Sequence, residues 1–461
     1  MNRRRRCGLL VTLAALVASA LASSASREAA AQPFARELPG PPPPAAPDLS
    51  APPVDEAPAP TLSDLDARLQ RTEDLVLNRQ PAVSFSGYID FGFFVPTGDG
   101  SGYIQDFGHA RYPAYMGAYG WVFLGDILAP AVNSRGEVAD LGSAPGVDRF
   151  DGIHSRGAPG FIANEVNLTS RATISSTAVA TASVNFAPRT GSNFALGDSF
   201  DVDIAQVEWL PTSSQRTSIF AGKIESVLGI EYRDRKANRR FGITPSLIAR
   251  YTTGPALGLK ARTKLGKNDW LVLAGAITNG SNTVEQFHFY DEIDSNAAKT
   301  VSGRVSVRLP LPFDLELGGS GSYGAQDRSR FNDGAMWFAG PDLMAHAATV
   351  DVKAQWLTGR SPGNAAEDVY GLHLHGGGYL EVDWMITPTF GVIGRAEYRH
   401  AEVWPGNERL YLTKSWRATG GVHVVINEHA QIKAEYLRNG EYGGLPKVRN
   451  DVLTSSLVLP Y

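Results

Sequence analysis

The sequence predicts an all-β chain whose strands close into a membrane-spanning antiparallel barrel of about sixteen strands. Three observations carry this. From Pro81 onward, segments of roughly ten to fifteen residues alternate apolar with polar or small side chains. The connections between them alternate between very short and very long. The last segment, "DVLTSSLVLPY", is itself a strand and ends on Tyr461, where most soluble domains end in a few polar residues. A soluble sandwich shows the same period of two. A membrane barrel adds short turns on one side, long loops on the other, and no free edge, because its first and last strands pair.

Composition narrows the alternatives. A chain of 461 residues holds two or three soluble domains or one large all-β domain. With 43% hydrophobic residues the chain is neither disordered nor a bundle of apolar helices. Its 48 glycines suit turns and close strand packing.

The elements follow in order. Residues 1–31 read as a secretory leader: Arg3 to Arg6 form the positive end, and Leu9 to Ala22 form a short apolar core. Cleavage is expected after Ala22 or Ala31. The apolar run is too short for a spanning helix. Cys7, the only cysteine, precedes that core, so no lipid-acceptor cysteine and no disulfide framework are expected in the mature chain. Removal of residues 1–31 takes away five basic residues and one acidic one. That leaves 38 basic against 46 acidic, a net charge of −8 that argues against a nucleic-acid partner.

Residues 32–60 are rich in Pro and Ala and form an extended, unfolded linker. Residues 61–80 place Leu62, Leu65, Leu69, Thr72 and Val76 at heptad spacing. Two heptads are too few to stand alone, so the segment is either a short oligomeric coiled coil or a single surface helix capping the next domain. Residues 81–461 are the barrel. In "VSFSGYIDFGFFV", Val83, Phe85, Ile89, Phe91, Phe93 and Val95 share one face, and Ser84, Ser86, Tyr88 and Asp90 take the other. In "GLHLHGGGYLEVDWMI", the alternation puts Leu372, Leu374, Leu380, Val382, Trp384 and Ile386 opposite His373, His375, Tyr379, Glu381 and Asp383. Because connections alternate sides, counting from both ends requires a returning strand between 312–325 and 345–358. "DGAMWFAGPDL" supplies it, with a turn expected at its "GPD", and the total is sixteen. A barrel this wide leaves a water-filled channel.

The strongest chemical signal lies in the third long loop. Residues 231–250 carry Arg233, Arg235, Lys236, Arg239, Arg240 and Arg250 against Glu231 and Asp234, a net charge of +4. The next strand sets Lys260, Arg262 and Lys264 opposite Leu257, Leu259 and Leu265. Arg304 and Arg308 face the same way further on, as does Lys223 before the loop. Rings of basic residues make a pore favour anions. The competing reading is plain solvation of a polar loop and lumen, and Asp314, Glu316, Asp351, Glu381 and Asp383 add acid to that lumen. His373 and His375 are two apart and could share a metal ion. Glu381 is over 20 Å further along the strand at about 3.3 Å per residue, so no metal site is expected. No nucleophile elbow, metalloprotease helix, phosphate loop or dinucleotide fingerprint occurs, and no catalytic residue or cofactor is expected. The long first loop, 96–160, is either an ordered lid or surface cover, or disordered.

The opening "FSGYIDFGFF", the block "IFAGKIESVLGIEYRD", the strand "GPALGLKAR" and the strand end "GAITNGSN" resemble the outer-membrane porins, specifically the porin O/P (phosphate-selective-like) branch. That resemblance implies a sixteen-strand barrel, usually trimeric, in a Gram-negative outer membrane. It implies an inward-folded third loop, contact with lipid and lipopolysaccharide, and insertion by the barrel assembly machinery, which reads the aromatic end at Tyr461. The expected function is passive diffusion of small hydrophilic solutes, with a preference for anions such as phosphate. The rival functions are a plugged structural or adhesin barrel and an outer-membrane barrel enzyme.

Overall fold

The computed structural model describes residues 83–96, 131–132, 138–139, 160–186, 200–211, 216–280, 297–311, 313–325, 335–362, 370–405, 411–441 and 451–461. The leader, the Pro/Ala linker, the heptad segment and most of loop 96–160 lie outside the described residues.

Sixteen antiparallel strands close into one barrel. They are β1 (Val83–Pro96), β2 (Gly160–Ser175), β3 (Ala178–Phe186), β4 (Phe200–Trp209), β5 (Thr217–Ile224), β6 (Ala256–Leu265), β7 (Leu271–Thr278) and β8 (Thr300–Pro310). There follow β9 (Asp314–Ala325), β10 (Ala335–Ala347), β11 (Val350–Ser361), β12 (Tyr370–Thr387), β13 (Phe390–Pro405), β14 (Tyr411–Asn427), β15 (Ala430–Glu441) and β16 (Val452–Pro460). Each strand pairs with its neighbours in sequence, and β1 closes the circle on β16 with Tyr88 opposite Pro460 and Val95 opposite Leu453. Tyr461 extends this seam. Its N–H donates to Gly87 O at 3.1 Å and its carbonyl accepts from Gly87 N at 3.0 Å. Its phenol donates to Asn167 O on β2 at 2.9 Å. The aromatic terminus therefore ties three strands together.

The alternation that predicted the strands sorts side chains as membrane barrels require. On β1, Phe85, Ile89 and Phe91 are exposed while Tyr88 and Asp90 are buried. On β8, Val301, Val305 and Leu309 point out while Ser302, Arg304 and Ser306 point in and are buried. Burial of charge with exposure of aliphatic side chains inverts a soluble core, and it fits a barrel whose outer face meets lipid and whose lumen is polar. Aromatic residues mark both ends of the outer face. Trp209, Trp270, Phe313 and Trp384 lie near the short turns, and Phe161, Tyr323, Trp337 and Trp416 lie nearer the long loops. Such girdles stand at the two interfaces of a membrane.

Two sequence expectations are corrected. The returning strand does not turn at "GPD": β10 runs on through it, with Pro341 opposite Gly319 and Asp342 opposite Gly318. The turn comes at Ala348, which takes φ +52°. Pro341 lacks an N–H to donate, but its ring leaves the strand path extended. The second correction concerns β12. A bulge opposite β13, between Leu374 and Gly376, reverses its alternation. Leu372 and Leu374 are therefore fully buried on the lumen side with Glu381 and Asp383, and His373 and His375 face outward.

Candidate functional site

The connection 225–255 between β5 and β6, here L3, folds into the lumen. Val227, Leu228, Ile230, Ile243, Leu247, Ile248 and Tyr251 are all buried, an apolar content that no loop in water would need. Two short 3-10 turns, Glu231–Asp234 and Ala249–Tyr251, give it internal hydrogen bonds. Arg240 acts within the loop, donating to Ile243 O at 2.9 Å and Arg235 O at 2.7 Å. Glu231 accepts from Ser246 N at 2.7 Å and Ser246 Oγ at 2.5 Å. Burial raises the Glu231 pKa despite these donors.

The wall holds L3 on opposite sides. Toward β2–β4, Arg235 pairs with Asp203, and Lys236 donates to Ser183 Oγ at 2.9 Å and Thr169 Oγ1 at 3.2 Å. Burial works against both charges: it lowers the Lys236 pKa, while for Arg235 the attraction of Asp203 outweighs it and the pKa is raised. Toward β13–β15 the contacts fall on the loop's backbone. Glu435 accepts from Ile243 N at 2.6 Å, Thr244 N at 3.0 Å and Thr244 Oγ1 at 2.9 Å. Glu397 accepts from Leu247 N at 2.7 Å. Arg395 donates to Thr244 O at 2.8 Å, and Lys433 to Ala237 O at 2.8 Å and Gly242 O at 3.2 Å. Toward β9–β11, Gly229 N donates to Ser320 Oγ at 2.8 Å, Ile230 N to Gln355 Oε1 at 2.9 Å, and Lys353 pairs with Asp234 at 2.8 Å.

Glycine permits two of these approaches. Gly229 takes φ +72°, and a Cβ there would meet the Gln355 amide at 2.2 Å. A Cβ on Gly242 would meet Glu435 Oε1 at 2.2 Å.

The basic residues singled out from the sequence are brought into the lumen but not into one ring. Arg233, Arg304 and Arg308 converge on Glu316 at 3.2, 2.9 and 3.3 Å, and Arg304 also pairs with Asp342 at 2.5 Å. Arg235 and Lys236 gather at Asp203. Arg240 is used up inside the loop. On β6, Lys260 lies 4.6 Å from the Phe220 ring and donates to Glu225 O. Arg262 reaches Glu208 at 3.9 Å and Lys264 reaches Asp269 at 4.0 Å, both toward the short-turn end. Arg239 is exposed on the loop. Arg250 sits in the second 3-10 turn, and its side chain lies outside the description. Glu381 and Asp383 face the lumen as expected and pair with Lys353 at 3.4 and 3.3 Å.

Sequence reasoning missed the residues that fasten L3 through its backbone. Arg395, Glu397, Lys433 and Glu435 lie in "GVIGRAEYRH" and "QIKAEYLRNG" on the polar face of alternating strands. The alternation marks them as lumenal. Nothing in the sequence says that their partners are main-chain atoms some 150–190 residues earlier.

No family model matches this sequence, and no curated protein matches it. Solved structures do. The chain is similar in fold to the outer membrane channel DcaP of Acinetobacter baumannii, at 8% identity and TM-score 0.50, covering 82% of this chain and 97% of that one. It is similar to OprB of Pseudomonas putida at 7% identity and TM-score 0.50, covering 86% and 97%. At these identities the likeness is one of fold. The architecture is a closed sixteen-strand barrel with a loop lodged in its lumen, the fold these porin-type channels share.

Proposed function

We propose that the protein is a passive diffusion channel for small hydrophilic solutes in a Gram-negative outer membrane, with L3 as its constriction and a preference for anions. The observation that carries this reading is L3 itself, a basic loop anchored across a polar lumen. Selectivity is set where the path is narrowest, because low-dielectric walls concentrate the field there. Arg239 on the loop and the Lys260, Arg262 and Lys264 row below it supply the positive field. Phosphate-like anions are the class to which the porin O/P resemblance points. By the same resemblance the barrel assembles as a homotrimer among lipid and lipopolysaccharide after insertion by the assembly machinery, with Tyr461 as its signal.

A second reading has its own support. L3 is held from β2–β4, β9, β11 and β13–β15, which suits a plug as well as a constriction. Planar-bilayer recording of the purified protein separates the two. A channel gives discrete steps and, in a KCl gradient, a reversal potential on the anion side. Absence of steps establishes the plugged barrel, and a cation-side potential overturns the anion preference alone.

A further inference from the structure

We infer that the outer face of the barrel carries a binding site for a divalent transition-metal ion of the zinc class, built from His373 and His375 of β12 and Glu402 of β13. One potential ligand atom from each of the three lies within 4.8 Å of the others. His375 Nε2 is 3.3 Å from Glu402 Oε2. The His373 and His375 rings are 3.7 Å apart between centroids, and His400 stacks on His375 at 4.3 Å.

The backbone explains the gathering. In a regular strand, residues two apart share a face but stand nearly 7 Å apart. Here His375 is the extra residue of the bulge between the Leu374–Ala401 and Gly376–His400 pairs. The bulge turns His375 outward beside His373 and over Glu402, which is the direct cross-strand partner of His373. Without the bulge the two histidines would line the lumen with Glu381, as regular alternation predicts.

Two imidazoles and a carboxylate form a ligand set that binds zinc while leaving one position for water or an outside donor. Imidazole and carboxylate together also suit neighbouring ions of the series, with affinity rising toward copper. Tetrahedral ligands at about 2.0–2.1 Å from zinc lie about 3.4 Å from one another. Closing from 4.8 Å is within reach of side-chain rotation on fixed strands. One neighbour opposes binding. Arg360 of β11 pairs across the sheet with His373 and is exposed on the same face, so its charge repels a cation. The Glu402 carboxylate offsets that charge.

The site stands near the long-loop end of the outer face, a few residues beyond the stacked Trp356 and Tyr398 rings. It is independent of the lumen and of whether the channel conducts.

The test is calorimetric titration of ZnCl2 into the full-length, tag-free protein in detergent after chelator treatment. One saturable ion per chain is expected. His373→Asn with His375→Asn should weaken it by more than about tenfold, a loss that removal of even an outer partner of a metal site produces. Glu402→Gln should also weaken it, and Arg360→Ala should tighten it. Heat-dependent gel mobility checks that each variant keeps its barrel. Co2+ gives a second readout through the visible absorption of a tetrahedral ion. Wild-type protein without saturable binding, or the same affinity in folded wild type and double variant, would show that the rings form an aromatic stack only.

Discussion

L3 is gripped in two different ways, and the contrast is instructive. At β4 and β9 the wall meets the loop's side chains, Asp203 with Arg235 and Lys236, and Glu316 with Arg233. At β13–β15 the wall meets the loop's backbone, through Glu435, Glu397, Arg395 and Lys433. The first grip is charge complementarity between loop cations that keep some exposure and wall carboxylates that are buried. The second buries four charged side chains against main-chain donors and acceptors that would otherwise be unsatisfied in the lumen. Hydrogen bonds to charged groups contribute about 1.5–3 kcal/mol each, and Glu435 alone accepts three of them from the loop. The β13–β15 side is therefore the stronger anchor, although the loop's ion pairs lie toward the other strands.

The sharpest way to break this comparison is at Glu435, which is 1% exposed and takes three loop donors. Glu435→Ala removes the acceptor of all three donors and leaves Lys433 and Arg395 short of a neutralising neighbour. A loss of about 3–5 kcal/mol is expected, the usual cost of breaking a buried charged arrangement. L3 should loosen while the barrel stays closed. The measurement is protease cleavage within 231–250 together with current noise in single-channel records. A loop as resistant as wild type would show that β13–β15 is not the dominant anchor.

Asp203→Ala is the matching change on the other side. It removes the partner of Arg235 and Lys236, whose side chains keep 14% and 13% of their exposure. Both side chains keep some exposure, although Arg235 Nη2 is buried, and Lys236 keeps Ser183 and Thr169. A smaller loss, about 1–2 kcal/mol, is expected. Urea midpoints for loop cleavage rank the two variants, and a larger effect at Asp203 than at Glu435 would reverse the order argued above.

The same contrast explains what was legible in the sequence. Charges that answer charges can be found by inspection: a loop of net +4 in an acidic chain announces itself, and so do Arg304 and Glu316 on alternating strands. Strand number was legible because a closed barrel forces connections to alternate sides, which exposed the missing strand β10. A charge that answers a backbone group leaves no complementary letter, since every residue has an N–H and a C=O. Glu435 and Lys433 could be placed in the lumen but not on L3. The bulge at His375 was illegible for a related reason: period two is read on the assumption that it never slips, and "HLHGGGY" carries glycines that permit the slip without requiring it.

The smallest expected effect, and the most selective, is at Arg239. Its backbone N–H bonds to Lys236 O at 3.0 Å, while its side chain is exposed on the loop's surface. Arg233, Arg235 and Arg240 are engaged with Glu316, Asp203 and the loop's own carbonyls, so replacing them changes the fold of L3 and its charge together. Arg239→Gln changes charge alone. Stability should move by no more than about 0.5 kcal/mol, as for other surface substitutions. If L3 sets selectivity, the reversal potential in a KCl gradient should shift toward cations at low salt. The shift should shrink as ionic strength rises, because a water-exposed charge is screened within about 8 Å at physiological salt. A variant with the wild-type reversal potential at low salt would remove L3's exposed charge as the source of selectivity, and the β6 row of Lys260, Arg262 and Lys264 would be left to supply it.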